Sequence, residues 1–322
     1  MDTSTSPFAD SVALGQTALR IPRLGVGTWA WGDRFFWNYG RDYHREDLEE
    51  AFAIALERGM AFFDTAEVYG MGRAERFLGA MLRDLPAQVV VASKFFPFPW
   101  RVRRAALSRA LHGTLKRLGK ARVDLYQIHF PWPPRGPDFW VSALADAVQA
   151  GLVGAAGVSN YNAEQMRRAY AILQARDIPL ASNQVHYSLL HRAPEYNGVL
   201  HACRELGVTL IAYSPLEMGL LTGKYTPENP PGGVRSRRYS RGYLARIRPL
   251  IGLMREIGQQ HGGKTPAQVA LNWVMRKGAV PIPGAKNARQ AESNAGALGW
   301  QLTAAEIAAL DEASEKIHPP PR

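Results

Sequence analysis

The sequence predicts an α/β fold of the (β/α)8 TIM-barrel type, a ring of eight parallel strands surrounded by helices. Eight short apolar runs alternate with longer segments of helical period, which is the pattern of a parallel sheet with helical crossovers. Successive runs begin 27 to 38 residues apart in six of the seven intervals, the length of one strand–helix unit. The eight runs span residues 24–29, 62–66, 89–94, 123–129, 153–159, 180–185, 208–215 and 279–284.

The segments around these runs predict the other elements in chain order. Residues 12–21 contain a Gly15-Gln16 turn and predict an N-terminal β-hairpin that closes the bottom of the barrel. Apolar stripes predict helices through Leu48, Phe52, Ala55 and Leu56, and through Leu107, Leu111, Thr114, Leu115 and Leu118. Capping boxes predict three later helix starts, at Asn162–Gln165, Thr265–Gln268 and Thr303–Glu306.

The last interval, between the strands that start at 208 and 279, is 71 residues long. It holds a Pro/Gly-rich loop at 228–233, a basic cluster at 235–241 and two segments of helical pattern. Long loops in compact domains usually serve function as lids or binding segments, so we expect long loops at the C-terminal face of the barrel. Because no linker or composition break interrupts the chain, we expect a single domain over residues 1–322.

Composition excludes several classes of protein. Of the 322 residues, 46% are hydrophobic and 21% are charged, and no apolar run approaches the roughly 18 residues of a membrane span. The first residues lack the basic and apolar regions of a secretory signal. The single cysteine, Cys203, forms no internal disulfide and is expected to be buried in a helix. We therefore expect a cytoplasmic protein with no membrane partner.

The net charge of +11 is compatible with an anionic partner, either nucleic acid or a polyanionic cofactor. Basic residues stand out only in the cluster 235–241, RSRRYSR, and no nucleic-acid-binding motif accompanies it. Two interpretations of this cluster stay open, a solvated surface loop and a loop that meets a polyanionic cofactor. We expect no nucleic-acid binding, and we expect a monomer.

Polar and ionisable residues mark the ends of three neighbouring predicted strands. Asp64 lies in the second strand and Tyr69 just after it, Lys94 ends the third strand, and His129 ends the fourth. Active sites of (β/α)8 barrels lie at the C-terminal ends of the strands, so these four side chains should meet in one mouth. Taken singly, they have structural alternatives as a helix cap, a loop aromatic, a structural ion pair and a core histidine.

The four groups together form a coherent proton-transfer set. A tyrosine has a reference pKa of about 10, and a nearby ammonium lowers that pKa toward the working range. Lys94 would supply this ammonium, and Asp64 would keep it charged in a partly dry pocket. His129 would orient a carbonyl oxygen beside Tyr69. The set predicts a general acid for the reduction of a carbonyl group.

Six segments resemble the motifs of the aldo-keto reductase superfamily. GMAFFDTAEVYG at 59–70 is similar to its first signature and VDLYQIH at 123–129 to its fourth-strand motif. The segments GVSN, NQV, AYSPL and IPGAK follow in the family's order at 157–160, 183–185, 212–216 and 282–286. The resemblance covers residues 12–315 and is closest to the bacterial, cyanobacterial and chloroplast branch that includes pyridoxal reductases. It implies reduction of an aldehyde or ketone to the alcohol by direct hydride transfer from NADPH, with Tyr69 as proton donor.

The resemblance also implies how the cofactor is held. Ser159, Asn160 and Gln184 would bind the nicotinamide carboxamide, and Tyr213 would stack beneath the nicotinamide ring. The backbone of residues 214–218, which we call the strap segment, would bind the pyrophosphate together with Lys224. The remaining cofactor contacts expected in this part of the site are Thr28, Trp29, Asp64, Ser214, Pro215, Leu216, Met218 and Gly284.

Other positions concern the adenosine end of the cofactor. Lys286, helped by Arg235 or Arg237 from the basic cluster, would supply the cations that a 2′-phosphate needs, which favours NADP over NAD. Gln290 and Asn294 would contact the adenosine. The family's common Glu-Asn pair is Ser293-Asn294 here, so a Glu hydrogen bond to the adenine amino group would be missing.

Aromatic side chains crowd the loops after the first, third and fourth strands. They predict an apolar mouth for a flat or apolar carbonyl compound, unless they only pack the loops against the barrel rim. The expected substrate contacts are Trp29, Tyr69, His129 and Trp132, and no metal ion is expected. Arg101, Arg103 and Arg135 lie near the same loops and could attract an anionic group of the substrate.

Two other functions stay open on the sequence alone. One is a binding or regulatory protein that keeps the cofactor but turns over slowly, which the complete acid–base set disfavours. The other is a barrel lyase in which Lys94 forms a Schiff base. Asp64 would keep the Lys94 amine protonated and a poor nucleophile, which disfavours the lyase.

Overall fold

Eight parallel strands form a barrel in the computed structural model, which describes residues 11–83, 89–232 and 239–317. Each strand pairs with the next one along the chain. Amides of Gly25 and Gly27 donate to the carbonyls of Pro281 and Pro283, which joins the last strand to the first. The predicted (β/α)8 fold is confirmed. The barrel strands are β3 (Val26–Gly27), β4 (Phe62–Asp64), β5 (Val90–Phe95), β6 (Val123–Ile128), β7 (Val153–Ser159), β8 (Leu180–His186), β9 (Thr209–Tyr213) and β10 (Val280–Ile282).

A hairpin of β1 (Ser11–Ala13) and β2 (Arg20–Pro22) closes the N-terminal end of the barrel. Gly15 in its turn has a φ of 59° and donates from its amide to Thr209 Oγ1 at 2.7 Å, at the start of β9. Ile21 packs into the inner core, among apolar side chains that the barrel strands point inward. The predicted hairpin is therefore confirmed, and it leaves the opposite end of the barrel as the mouth.

Helices cover the outer surface of the strands. The described helices are α1 (Arg45–Glu57), α2 (Arg73–Leu82), α3 (Ala105–Leu118), α4 (Pro137–Gln149), α5 (Ala163–Gln174), α6 (Ala193–Tyr196), α7 (Val199–Leu206), α8 (Arg241–Gln260), α9 (Pro266–Arg276), α10 (Ala288–Ala295) and α11 (Ala304–Glu315). Two 3₁₀ segments, Tyr69–Gly72 and Glu217–Thr222, lie in loops after β4 and β9. No helix within the described ranges is long and apolar enough to cross a bilayer.

The helices follow the predicted patterns closely. All five stripe residues of α3 are buried, and in α1 only Leu56 of the four predicted positions is partly exposed. Capping boxes form at Asn162, Thr265 and Thr303, as the spacing predicts. Cys203 is buried in α7. The two helical segments of the long interval are α8 and α9, whereas Arg235 and Arg237 lie outside the described residues.

Candidate active site

Three neighbouring strands bring the predicted proton-transfer residues together at the mouth. Asp64 ends β4, Lys94 lies in β5 and His129 directly follows β6, while Tyr69 begins the 3₁₀ segment after β4. Lys94 Nζ donates to Asp64 Oδ1, to the Thr65 carbonyl at 2.8 Å and to Tyr69 Oη at 3.3 Å. The rings of Tyr69 and His129 lie 5.9 Å apart and nearly perpendicular. The structure therefore places all four side chains in one cluster.

The Lys94 ammonium is the centre of this cluster. Its side chain is fully buried, and its three N–H donors match the three acceptors that it contacts. Burial alone lowers the pKa of Lys94, but the charge of Asp64 and the contact with Tyr69 raise it above the ordinary value. The amine is therefore protonated, and it has no free electron pair for attack on a carbonyl carbon.

Tyr69 lies at the surface of the cluster and is partly buried. Burial raises the pKa of its phenol, and the positive charge of Lys94 lowers it by less, so the pKa stays above the ordinary 10.0. From the sequence we expect Lys94 to bring this pKa toward neutrality. In the structure the net shift has the opposite direction, because desolvation outweighs the ammonium. The hydroxyl is protonated near neutral pH and can donate its proton.

The imidazole of His129 is buried and neutral. Burial, and then the charge of Lys94, hold the pKa of His129 well below the ordinary 6.5. The ring stacks on Phe130 at 4.9 Å and meets Phe96 edge-on at 5.4 Å. Its Nδ1 atom is buried and finds no hydrogen-bond partner among the described residues. A neutral imidazole fixed in this way can donate one hydrogen bond to an oxygen beside Tyr69.

Amide side chains continue the cluster toward β7 and β8. Asp64 Oδ2 accepts from Gln184 Nε2 at 2.8 Å and from Gln127 Nε2 at 3.3 Å. Asn160 donates to the His129 carbonyl at 3.1 Å and accepts from the Tyr213 hydroxyl at 3.0 Å. Gln127 is not among the site residues that the sequence predicts. It could have been found as a polar residue two positions before His129, on the same face of an otherwise apolar strand.

Two other predicted cofactor contacts, Ser159 and Thr28, donate hydrogen bonds to backbone carbonyls. Ser159 is buried, and its hydroxyl donates to the Gln184 carbonyl at 2.9 Å. Thr28 is fully buried, and its hydroxyl donates to the Asp64 carbonyl at 3.0 Å. Both residues therefore hold the backbone of neighbouring strand ends. A bound carboxamide would have to share or replace the hydrogen bond of Ser159.

The strap segment has an unusual backbone. Ser214, Glu217 and Met218 have positive φ angles of 51°, 47° and 51°, and Gly219 follows with 97°. Consecutive backbone N–H groups in such turns can converge on an anion. A Cβ atom on Gly219 would lie 3.3 Å from Lys224 Nζ, so the glycine lets the ammonium lie against the segment. Backbone N–H groups and one cation together fit a diphosphate.

The predicted adenosine contacts lie in α10 and in the loop between β10 and α10. Lys286 Nζ lies over the rings of Tyr43, at 4.7 Å, and Trp37, at 5.4 Å. The backbone amide of Lys286 donates to Gln290 Oε1 at 3.0 Å. Asn294 is buried and donates to a backbone carbonyl of the preceding loop at 3.3 Å. The structure thus brings Lys286, Gln290 and Asn294 together.

Aromatic rings form two groups in the loops that follow the barrel strands. After the first strand, Trp29 stacks on Phe36 at 5.2 Å. After the third and fourth strands, Trp132 stacks on Phe130 at 4.5 Å and meets Phe96 edge-on at 5.2 Å. Trp29 and Trp132 keep 38% and 44% of their surface exposed, so both can contact a bound molecule. Phe130 and Phe96 link Trp132 to His129, a connection that the sequence analysis did not predict.

Two of the three arginines near the aromatic loops, Arg101 and Arg135, bind neighbouring protein groups, whereas Arg103 is exposed. Arg101 forms an ion pair with Glu67 through both of its terminal nitrogens, and Glu67 also accepts from the Phe96 amide at 2.7 Å. Arg135 donates to the Val102 carbonyl at 2.9 Å. The charge of Arg101 is therefore compensated, and the expectation that it attracts an anionic group is not supported. The pair instead fixes the loop that carries Phe96.

Comparisons with known proteins agree with this geometry. The model of the aldo/keto reductase family matches residues 23–315. The chain is 39% identical to a chloroplastic pyridoxal reductase of Arabidopsis thaliana, over 92% of this chain and 84% of the relative. A glycerol dehydrogenase of Gluconobacter oxydans shares the fold with a TM-score of 0.84 and 26% identity over 98% of both chains. An aldo/keto reductase of Klebsiella pneumoniae, solved with NADP and acetate, gives a TM-score of 0.74 and 28% identity over 97% and 96% of the two chains.

Proposed function

The chain belongs to the aldo/keto reductase family of carbonyl-reducing oxidoreductases, and we propose that NADPH is its cofactor and Tyr69 its proton donor. One observation carries the proposal. The Lys94 ammonium contacts both Asp64 and the Tyr69 hydroxyl, and Tyr69 lies beside a neutral His129. This arrangement supplies a proton at the point where a carbonyl oxygen can be held.

Each residue of the cluster has one role in the proposed reaction. When bound, NADPH supplies the hydride that the carbonyl carbon receives. Tyr69 gives its hydroxyl proton to the carbonyl oxygen, so that the alcohol leaves as a neutral product. Lys94 stabilises the phenolate that remains, and Asp64 holds Lys94 charged and in place. His129 donates a hydrogen bond to the carbonyl oxygen and orients it toward Tyr69.

The residues present fit a nicotinamide cofactor. Ser159, Asn160 and Gln184 offer the donors and acceptors that a carboxamide needs, and the partly exposed ring of Tyr213 offers a flat surface beside them. The strap segment and Lys224 would bind the pyrophosphate. Thr28, Trp29, Asp64 and Gly284 complete the proposed contacts at this end of the cofactor.

The preference for NADP is proposed from Lys286. Its ammonium and the N-terminal end of α10 would recognise a 2′-phosphate, which an NAD molecule lacks. The relative solved with NADP is consistent with this choice. Arg235, Gln290 and Asn294 would take part at the adenosine end.

The substrate is proposed to be an uncharged aldehyde or ketone with a flat or apolar body. Trp29 and Trp132 would contact this body while Tyr69 and His129 hold the carbonyl oxygen. The compensated charge of Arg101 gives an anionic substrate no partner there. Residues 1–322 are proposed to act as one domain. Monomeric state, cytoplasmic location and lack of nucleic-acid binding stay predictions.

The test is a comparison of the unaltered protein with Tyr69→Phe. Consumption of NADPH or NADH would be followed by absorbance with pyridoxal, methylglyoxal and aromatic aldehydes. We expect turnover with NADPH, and a loss of about 100- to 10,000-fold in kcat for Tyr69→Phe. The dissociation constant of NADPH should change by less than about twofold, which would show an intact cofactor site. Undiminished turnover by Tyr69→Phe would refute the proton-donor role.

A further inference from the structure

A second buried carboxylate lies at the mouth, and the proposed reaction does not use it. Glu217 belongs to the strap segment and is only 5% exposed. Its Oε1 atom accepts from His186 Nε2 and from Ser188 Oγ, the latter at 2.7 Å. His186 is the last residue of β8, and Ser188 follows two positions later. The carboxylate therefore ties the loop after β9 to the end of the neighbouring strand.

The same histidine supports an aromatic stack. The ring of His186 lies between His191, at 4.0 Å, and Tyr213, at 5.3 Å, and both neighbouring rings are nearly parallel to it. The hydrogen bond to Glu217 fixes the rotation of the His186 ring about its side-chain bonds. Tyr213 thus rests on a surface whose orientation is set by the strap segment itself.

The backbone of the strap segment needs such a tether. Ser214, Glu217 and Met218 all have left-handed φ angles, which residues with a Cβ atom adopt only when their surroundings hold them there. Within the segment, the Glu217 amide donates to the Ser214 carbonyl at 2.9 Å. The side chain of Glu217 adds the two contacts that reach outside the loop. Burial raises the pKa of Glu217, but the bonds from His186 and Ser188 lower it by more, so the group stays ionised.

We propose that Glu217, His186 and Ser188 are positioning residues for the cofactor. They hold the strap segment in the shape that binds the pyrophosphate, and they keep the Tyr213 ring flat beneath the nicotinamide. Glu217 does not itself bind the pyrophosphate, because its negative charge would repel a diphosphate and its Oε1 is already occupied. The inference rests on the proposed function, since it requires the strap segment to bind the pyrophosphate.

The test measures dissociation constants of two ligands by quenching of protein fluorescence. NADPH contains the pyrophosphate and nicotinamide, whereas adenosine 2′-monophosphate carries only the adenosine with its 2′-phosphate. For Glu217→Ala we expect about tenfold weaker NADPH binding and an unchanged dissociation constant for adenosine 2′-monophosphate. Glu217→Gln keeps an oxygen that can accept both hydrogen bonds, so it should bind NADPH as the unaltered protein does or more tightly.

His186→Phe is a second, independent variant in case Glu217→Ala folds poorly. Phenylalanine keeps a ring between His191 and Tyr213 but removes the hydrogen bond, so NADPH should again bind about tenfold more weakly. The double variant should lose no more than either single change, because both remove the same contact. The matched control is Glu228→Ala, which removes an exposed acid in the same loop. It should leave the dissociation constants of both ligands unchanged.

Several results would overturn the inference. Unchanged NADPH binding by Glu217→Ala would remove the positioning role while leaving the proposed function intact. Equal losses for NADPH and adenosine 2′-monophosphate would show a general structural defect instead of a local one. A loss in Glu217→Gln as large as in Glu217→Ala would contradict positioning by hydrogen bonds. Absence of NADPH binding by the unaltered protein would overturn the proposed function itself.

Discussion

Two buried carboxylates lie at the mouth of this barrel, and they are built in different ways. Asp64 and its partner Lys94 belong to adjacent strands, whose backbone groups are already paired in the sheet. Glu217 lies in a loop with left-handed backbone, and its partner His186 ends a strand. In the proposed reaction the first carboxylate keeps the Lys94 ammonium charged, whereas the second is proposed to set the path of a loop. The proton-transfer residues are therefore fixed by the pairing of the strands, whereas the loop proposed to bind the cofactor is fixed by contacts between side chains.

The largest expected effect comes from breaking the pair on the strands. Lys94→Met should lower kcat by about 1,000-fold, because a phenolate at Tyr69 loses its stabilising charge. NADPH binding should change little, since the polar contacts of Lys94 are with Asp64, Thr65 and Tyr69. The variant should also be less stable by about 3–5 kcal/mol, because Asp64 remains buried without its partner.

Steady-state kinetics and urea unfolding check both expectations for Lys94→Met. Lys116→Met, at an exposed position of α3, is the matched control and should change neither quantity. A Lys94→Met protein with a kcat within about tenfold of the unaltered one would remove the distinction drawn between the two carboxylates.

On the cofactor side, the next largest effect should separate the two ends of NADPH. Lys286→Ala should weaken NADPH binding by about 10- to 100-fold and NADH binding by less than about threefold, because only NADPH carries the 2′-phosphate. Lys224→Ala is the counterpart at the strap segment and should weaken both cofactors equally, since both contain the pyrophosphate. Titration calorimetry with the two cofactors measures these ratios. Equal losses of NADPH and NADH in Lys286→Ala would end the case for 2′-phosphate recognition.

A smaller effect should appear at the aromatic rings in the loops at the mouth, which we call the aromatic rim. Trp132→Ala removes the outer ring of the stack that continues from His129 through Phe130. The KM for an aromatic aldehyde should rise by about two- to tenfold, with NADPH binding unchanged. Phe35→Ala removes an aromatic ring that is 87% exposed, and it should leave the KM as it is. Equal KM values for Trp132→Ala and the unaltered protein would show that Trp132 only packs its loop against the barrel and does not contact the substrate.

The smallest expected effect is that of pH on carbonyl reduction. The pKa of Tyr69 lies above 10.0, and that of His129 lies well below 6.5. Neither group changes its charge between these values, so kcat at saturating NADPH should vary by less than about twofold there. The rate should fall only as the pH rises through the raised pKa of Tyr69, because the proton donor is then lost. An inflection between pH 6.5 and 10.0 in a kcat profile would contradict the assigned protonation states.

The sequence predicted the proton-transfer residues better than the contacts that hold the loop proposed to bind the cofactor. Parallel strands must end at the same face, so Asp64, Lys94 and His129 could be placed together from strand positions alone. The contact between His186 and Glu217 could not, because it depends on left-handed residues that carry ordinary side chains. The direction of the Tyr69 pKa was also missed, since the degree of burial is a property of the packed structure.

The hairpin of β1 and β2 gives the molecule one closed end and one open end. Ser11 begins this hairpin at the closed end, on the side of the barrel away from the mouth. A fusion partner or a solid support joined ahead of Ser11 would therefore leave the aromatic rim facing free solution. A layer of the protein immobilised through this end would keep the mouth of each barrel accessible.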